Sequence, residues 1–252
     1  MISDKINDGL RGKTNIPGDK SISHRSIIIP SISKGICEIN NLLKSDDVMH
    51  TMNAFKAMGV KINEFQDKII IHGLGLNSLK KPLKELYLGN SGTSARLLAG
   101  LLASQKFDTK LSGDKSLSSR PMKRIADPLT QMNANIITSN GSLPLEIKGK
   151  ELTNTNIEIK IPSAQIKSGI LLASLNTDGV TNITEYNITR DHTEIMLKSF
   201  NADINIENDQ NKKIISIKGK KELQPNNIDI PSDLSSSAFF IVAALINKGS
   251  EI

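Results

Sequence analysis

Apolar residues recur along this chain at two alternating spacings, the three-to-four residue interval of amphipathic helices and the every-other pattern of half-buried strands. One combination is repeated. The segments AMGVKI (57–62), QMNANI (131–136) and SFNADI (199–204) each read as the last turn of a helix, a turn and a short strand, and they stand about seventy residues apart. That period exceeds the roughly 20–50 residues of a solenoid repeat, so each copy is expected to be a supersecondary motif of its own. A second strand follows each one, at Lys68 to His72, Leu143 to Lys148 and Lys213 to Lys218. Asp67, Asn140-Gly141 and Asp209-Gln210-Asn211 supply the hairpin turns.

Upstream of each copy stands another helix with a polar opening rich in Gly, Ser or Pro: GDKSISHRS (18–26), GNSGTSARL (89–97) and PSAQIKSGI (162–170). Leu86 and Leu88 mark a strand before the second opening, and Ile157, Ile159 and Ile161 one before the third. Three such units predict an α/β (α+β) domain with pseudo-threefold form. A fourth opening, PSDLSSSAF (231–239), begins something new. Its helix is apolar almost all round from Ala238 to Ile246, a pattern normally buried on every side. A second domain is expected to start there and to be missing from this chain.

Composition narrows the field. At 38% hydrophobic and 23% charged residues over 252 positions, the chain has the makeup of a globular protein rather than a disordered one. The run 238–246 is half of the ~18 apolar residues that a membrane span needs. The polar N-terminus carries no secretory signal, so the expected setting is cytoplasmic, with no membrane partner. Cys37 is the only cysteine, which excludes an internal disulfide and a cysteine-rich metal site. A net charge of +6 would suit a polyanion, but aromatic residues are 3%, Trp is absent and the basic residues are scattered. That favours small anionic substrates in a cleft over nucleic acid.

The helix openings carry the candidate chemistry. The first turn of a helix presents unpaired N–H groups and the positive end of the macrodipole to an anion, and Ser or Thr adds hydroxyl donors. In P-G-D-K-S-I-S-H-R, Lys20 and Ser21 fall at the opening and Arg25 one turn on, sharing a face with Ser21; an ordinary cap with solvated cations reads equally well. A nucleotide P-loop is excluded, because Gly12-Lys13-Thr14 has Asn7 where the upstream glycine is required. In the second opening Gly89 and Gly92 allow close backbone approach. Arg120, immediately before Pro121, is expected in a first helical turn, where a bound anion would offset its clash with the dipole. The third offers Ser163 and Gln165, followed by Arg190 with Asp191 as a helix cap. Arg96 and Lys167 count among the nearby cations. His24, His50, His72 and His192 share no metal-ligand spacing with Asp, Glu or Cys and read as structural.

Taken in order, PGDKSISHR, GNSGTSAR, SLSSRPMKR, SAQIKSG, TRDHTE and PSDLSSSAF resemble the EPSP synthases, the 3-phosphoshikimate 1-carboxyvinyltransferase family, along nearly the whole chain. The resemblance implies two domains of three βαβαββ units each: residues 1–17 would belong with the second domain, 18–230 would form the first, and 231–252 would begin the second. It implies transfer of the enolpyruvyl group of phosphoenolpyruvate to the 5-hydroxyl of shikimate 3-phosphate, with release of phosphate, in aromatic amino-acid biosynthesis. No metal or cofactor is implied, and the complete enzyme would be a monomer. Lys20, Ser21, Arg25, Ser163, Ala164, Gln165 and Arg190 would bind shikimate 3-phosphate, and Lys20, Gly92, Arg120 and Gln165 phosphoenolpyruvate. The acid/base residues would lie past Ile252, leaving no catalytic residue here and the chain inactive alone. Gly92 would also leave room for glyphosate, a competitor of phosphoenolpyruvate. The rivals are a UDP-N-acetylglucosamine enolpyruvyl transferase, disfavoured because Ser21 rather than Asn follows Lys20, and a non-catalytic anion- or RNA-end-binding domain.

Overall fold

The computed structural model describes residues 9–209 and 211–252. Residues 1–8 of the expected N-terminal segment and Gln210 of the third hairpin turn lie outside the described residues. Unit one comprises α1 (Lys20–Ile32), β1 (Lys34–Asn40), α2 (Asp46–Ala57), β2 (Lys61–Glu64) and β3 (Lys68–Leu74). Unit two comprises β4 (Leu86–Tyr87), α3 (Gly92–Ala103), β5 (Thr109–Ser112), a one-turn α4 (Lys115–Ser118), α5 (Lys123–Gln131), β6 (Asn135–Ser139) and β7 (Ser142–Lys148). Unit three comprises β8 (Asn156–Ile159), α6 (Ala164–Ser174), β9 (Val180–Glu185), α7 (His192–Ser199), β10 (Asp203–Asp209) and β11 (Lys212–Lys218). β12 (Ile228–Asp229) and α8 (Leu234–Ile246) follow.

The three repeated segments share a backbone device. Their third residues, Gly59, Asn133 and Asn201, have φ of 90°, 66° and 62°. In each the next amide reaches back five residues: Val60 to Phe55 O, Ala134 to Leu129 O and Ala202 to Leu197 O. This left-handed cap satisfies the last helical carbonyls and turns the chain into the following strand; Gly and Asn are the residues that tolerate it. Asn140 and Gly141, at φ 50° and 82°, form the two-residue hairpin turn that the sequence predicts.

Each unit makes one four-stranded mixed sheet, in the orders β12-β1-β3-β2, β4-β5-β7-β6 and β8-β9-β11-β10. Among the described residues unit one has no leading strand of its own, and β12 takes that place. Ile228 pairs with Ile39 in parallel, as Leu86 pairs with Leu111 and Ile157 with Ile183 in the other units. Inside, α1, α3 and α6 bury Ile27, Ile28, Leu97, Leu101, Ile170 and Leu171 in one apolar cluster with the inner faces of the sheets. Each such side chain contributes roughly 1.5–3 kcal/mol.

Two expectations need correction. Ile161 lies past the end of β8 and is 53% exposed, because the chain turns there towards the α6 opening. The helix expected to be buried on every side, α8, has no buried residue. The segment 13–16 runs along it, and the two line an apolar cavity of about 560 Å³ that includes Ile16, Phe240, Ile241 and Leu245. The chain passes between α8 and the units at two adjoining points, where Asp19 N donates to Pro231 O and Asp233 N to Pro17 O, both at 2.8 Å. Among the described residues no helix is long and apolar enough to cross a membrane.

α3 and α6 meet backbone to backbone. A Cβ on Gly100 would stand 1.9 Å from the carbonyl oxygen of Gly169, so only glycine permits this approach. Gly100→Ala is expected to cost about 1–3 kcal/mol, the usual range for overpacking, read as a lower urea midpoint with an unchanged slope.

Candidate functional site

Three helix openings converge, each with a side-chain cap. Asp19 Oδ1 accepts from Ile22 N at 2.8 Å before α1, Ser91 Oγ from Ser94 N at 3.1 Å before α3, and Ser163 Oγ from Ile166 N at 3.4 Å before α6. Asp191 precedes α7 as expected but makes no side-chain cap bond. The openings of α1 and α6 enclose a cavity of about 330 Å³, lined by Ser21, Arg25, Ser163, Ala164, Gln165 and Arg190 together with Pro162, Thr93, Thr189 and His192. All six of the first group are residues singled out from sequence. Among the described residues, no carboxylate lines it.

Arg25 is the most constrained of these groups, at 4% exposure. Its Nε donates to Thr193 Oγ1 at 2.6 Å, Nη2 to Ser168 Oγ at 2.7 Å and Nη1 to the Ser21 carbonyl at 2.7 Å. Burial pulls its pKa down to about 10, with Glu194 acting in the opposite sense, so it stays charged at neutral pH. Three of its five N–H groups are engaged, leaving two for a ligand.

Gln165 is oriented from both ends. Its Oε1 accepts from Arg96 Nη1 at 2.7 Å and its Nε2 donates to Thr93 Oγ1 at 3.0 Å. Arg96 leads from the cavity to Gly92, where an added Cβ would stand 2.8 Å from Arg96 Nη1 and 3.2 Å from Arg120 Nη1. Two guanidinium groups therefore flank a residue with no side chain, an arrangement suited to an anion with two acidic groups. Burial lowers the Arg96 pKa, and Arg120 and Arg124 lower it further, as like charges do.

Lys20, Gly92 and Arg120 do not line the cavity. Lys20 forms an ion pair with Asp47 of α2, half-exposed on the lysine side. Arg120 donates to Asn90 Oδ1 and, at 3.4 Å, to Ser116 Oγ; Asn90 is itself bonded to Asp114. Arg120 is not in the first turn of a helix, contrary to the sequence expectation. It lies in the turn after α4, three residues before α5 begins at Lys123. Lys167 is a second correction: it is fully buried and paired with Glu185 and Glu194, so it is not a cation free to meet a ligand.

Sequence reasoning missed Asp47, Asn90, Thr93, Ser168 and Thr193. Ser168 and Thr193 sit inside motifs already noticed, four residues beyond a helix opening and next to a cap, and a helical face drawn from the caps would have found them. Asn90 and Thr93 likewise lie within the opening GNSGTSARL (89–97), whereas Asp47 carries no such signal.

His24 is one place before Arg25 and wholly buried. Its Nδ1 lies 2.8 Å from Thr51 Oγ1, and hydroxyl contacts continue to Ser94 at 2.5 Å and on to Ser91 at 2.6 Å, linking α1, α2 and the α3 cap. Desolvation pushes the imidazole from 6.5 down to about 3. His192, at the cavity wall, is also lowered, by burial first and then by Arg25. Among the described residues no three His, Cys, Asp or Glu side chains gather as a metal site would require.

Comparison with known proteins places this geometry. The model of the EPSP synthase family (3-phosphoshikimate 1-carboxyvinyltransferase) matches residues 5–252. A 3-phosphoshikimate 1-carboxyvinyltransferase of Ruthia magnifica subsp. Calyptogena magnifica is 49% identical over 98% of this chain and 56% of its own length. That of Leuconostoc citreum (strain KM20) is 46% identical over 97% of this chain and 56% of its own. The 2.37 Å structure of EPSP synthase from Acinetobacter baumannii superposes with a TM-score of 0.89 at 46% identity, covering 97% of this chain and 55% of that one. The chain thus spans about half the length of the curated relatives it matches.

The buried imidazole gives a pH signature. The unfolded chain takes up a proton at His24 near pH 6.5 and the folded one only near 3. Stability from this site is therefore complete above pH 6.5 and lost progressively as pH falls towards 3. Between pH 7 and 5.5 the loss should be about 1 kcal/mol. Urea unfolding of wild type and His24→Asn at both pH values should show a loss smaller by about 1 kcal/mol in the variant, in which His192 still titrates.

Proposed function

This chain belongs to the EPSP synthase family, and we propose that its cavity holds shikimate 3-phosphate while the Gly92 cleft beside it takes phosphoenolpyruvate, for enolpyruvyl transfer to the 5-hydroxyl with release of phosphate. One observation carries this reading: Ser21, Arg25, Ser163, Ala164, Gln165 and Arg190, from three separate motifs, line a single cavity. Shikimate 3-phosphate has a phosphate ester, a carboxylate and ring hydroxyls; the cavity offers two guanidinium groups, hydroxyls and a helix opening to match. Phosphoenolpyruvate, with a carboxylate and a phosphate, fits the paired guanidinium groups of Arg96 and Arg120. Gln165, bonded to Arg96 and lining the cavity, stands between the two sites. Lys20, held by Asp47, is the point charge assigned to both ligands.

Mechanistically these residues bind and position. Bringing the 5-hydroxyl against the enolpyruvyl carbon makes a two-molecule step effectively intramolecular, and fixed cations stabilise the phosphate as it departs. The transfer also needs a proton delivered to C3, one removed from the hydroxyl and one taken back from C3 as phosphate leaves, and the cavity's described lining has no carboxylate for any of these tasks. We therefore read residues 18–230 as the substrate-binding domain and 231–252, with 9–17 alongside, as part of a second one. The whole enzyme is read as cytoplasmic and monomeric.

Titration calorimetry of the chain with shikimate 3-phosphate should give saturable heat, and Arg25→Ala should weaken it by about tenfold or more, the loss of a charge-assisted bond. No heat at millimolar ligand would overturn the reading. With both substrates present, the chain alone should show no turnover above background. In the complete enzyme, Gly92→Ala should displace the two guanidinium groups and reduce glyphosate inhibition; equal inhibition of both forms would count against the Gly92 cleft.

A further inference from the structure

Four ionisable side chains meet inside unit three, and none of them lines the cavity. Lys167 Nζ of α6 lies 2.7 Å from Glu185 Oε2 at the end of β9 and 2.7 Å from Glu194 Oε1 in α7. Lys213 Nζ of β11 approaches the same Glu194 oxygen at 3.3 Å. The side chains of Lys167, Glu185 and Glu194 are 0–1% exposed and that of Lys213 6%. Lys167 also donates to the Thr189 carbonyl at 3.4 Å, and the Thr189 hydroxyl donates to Glu185 Oε1 at 2.6 Å. The cluster thus joins two helices, two strands and the loop that forms one wall of the cavity.

Stability alone does not account for it. Removing charges from water costs several kcal/mol per ion, and apolar side chains of similar volume often serve a fold equally well or better. A buried ionic cluster offers something else, a fixed spacing between the elements it joins, even though Glu194 Oε2 is left without a hydrogen-bond partner here. The neighbours of these residues indicate what is being spaced. Ser168 follows Lys167 and Thr193 precedes Glu194, and these are the two hydroxyls that accept from Arg25. Their proton order is determined. Ser168 donates to the Ala164 carbonyl at 2.6 Å, so Thr193 must donate to Ser168 Oγ across 2.7 Å, and both oxygens are then free to accept from the guanidinium.

We propose that Lys167, Glu185, Glu194 and Lys213 are positioning residues for Arg25. By clamping α7 to α6 they hold the Ser168 and Thr193 hydroxyls at the separation that the Nε–Nη2 edge of the guanidinium spans, so that its two remaining N–H groups face the ligand in one orientation. Where this concerns affinity it rests on the proposed shikimate 3-phosphate reading of the cavity; where it concerns Arg25 geometry it does not.

The experiment reads both. In the ligand-free chain, nitrogen-detected NMR of the arginine Nε–H, assigned through Arg25→Lys, gives the exchange rate of the Arg25–Thr193 bond. Lys167→Met and Lys213→Met should each quicken that exchange, Lys167→Met by about tenfold or more, and weaken shikimate 3-phosphate binding in parallel. Lys213→Arg, which keeps the charge, should restore wild-type exchange. Leu145→Ala, a core truncation in unit two, is the control for general destabilisation and should leave Arg25 exchange unchanged. Should Lys167→Met fail to fold, Lys213→Met carries the comparison. A folded variant with wild-type Arg25 exchange, or one quickened no more than Leu145→Ala, would overturn the proposal. Absence of shikimate 3-phosphate binding in the wild type would instead overturn the functional reading and leave the exchange comparison decisive.

Discussion

A guanidinium group keeps its proton at any physiological pH, and in a protein interior it demands an acceptor for each N–H that water cannot reach. Arg25 imposes that demand on unit three, because two of its three acceptors are side chains of α6 and α7. One position earlier, His24 makes a similar demand with the opposite electrical character: desolvated and uncharged, it turns to Thr51 and through it to the hydroxyls at the α3 opening. Consecutive residues of one helical turn therefore fix α1 against both other units, one through a buried cation and the other through a buried neutral ring. The convergence of three helix openings follows from this double attachment and from the glycine contact that lets α3 and α6 approach.

The features legible in the sequence are those whose physics is local. A cap residue, a left-handed Gly or Asn after a helix and an Asn-Gly hairpin act within a few positions, so the three repeated segments, the helix openings and the strand pairs could be read directly. The cavity was legible in its membership, since Ser21, Arg25, Ser163, Gln165 and Arg190 lie at or near those openings. What could not be read was partnership across distance. Lys167 beside a helix opening has the look of a ligand cation, and only the return of β9 and α7 supplies the carboxylates that occupy it. Pro121 is a fair sign of a helix start, but the added turn of α4 moves that start past Arg120. Apolar pattern in α8 foretold burial and gave no indication of what would do the burying.

The distribution of charge follows the same division of labour. Lys167 and Lys213 are balanced by carboxylates inside unit three, and Lys20 by Asp47. Arg25, Arg96 and Arg120 are held instead by hydroxyls, amides and carbonyls. Neutral acceptors fix a cation's direction without cancelling its charge, which leaves the electrostatic potential of the cavity available to an incoming anion.

The borrowed strand β12 has a consequence for how the protein is made. Ile39 finds its parallel partner only at Ile228, so the first sheet cannot be completed until nearly two hundred further residues have left the ribosome. Units two and three contain all four strands of their sheets in contiguous sequence and can close as they emerge. Unit one, synthesised first, holds an open edge on β1 throughout that interval. Long-range pairing of this kind slows folding and leaves an unpaired strand exposed to other chains. The order of translation and the order of completion are therefore reversed for the segment that carries Arg25.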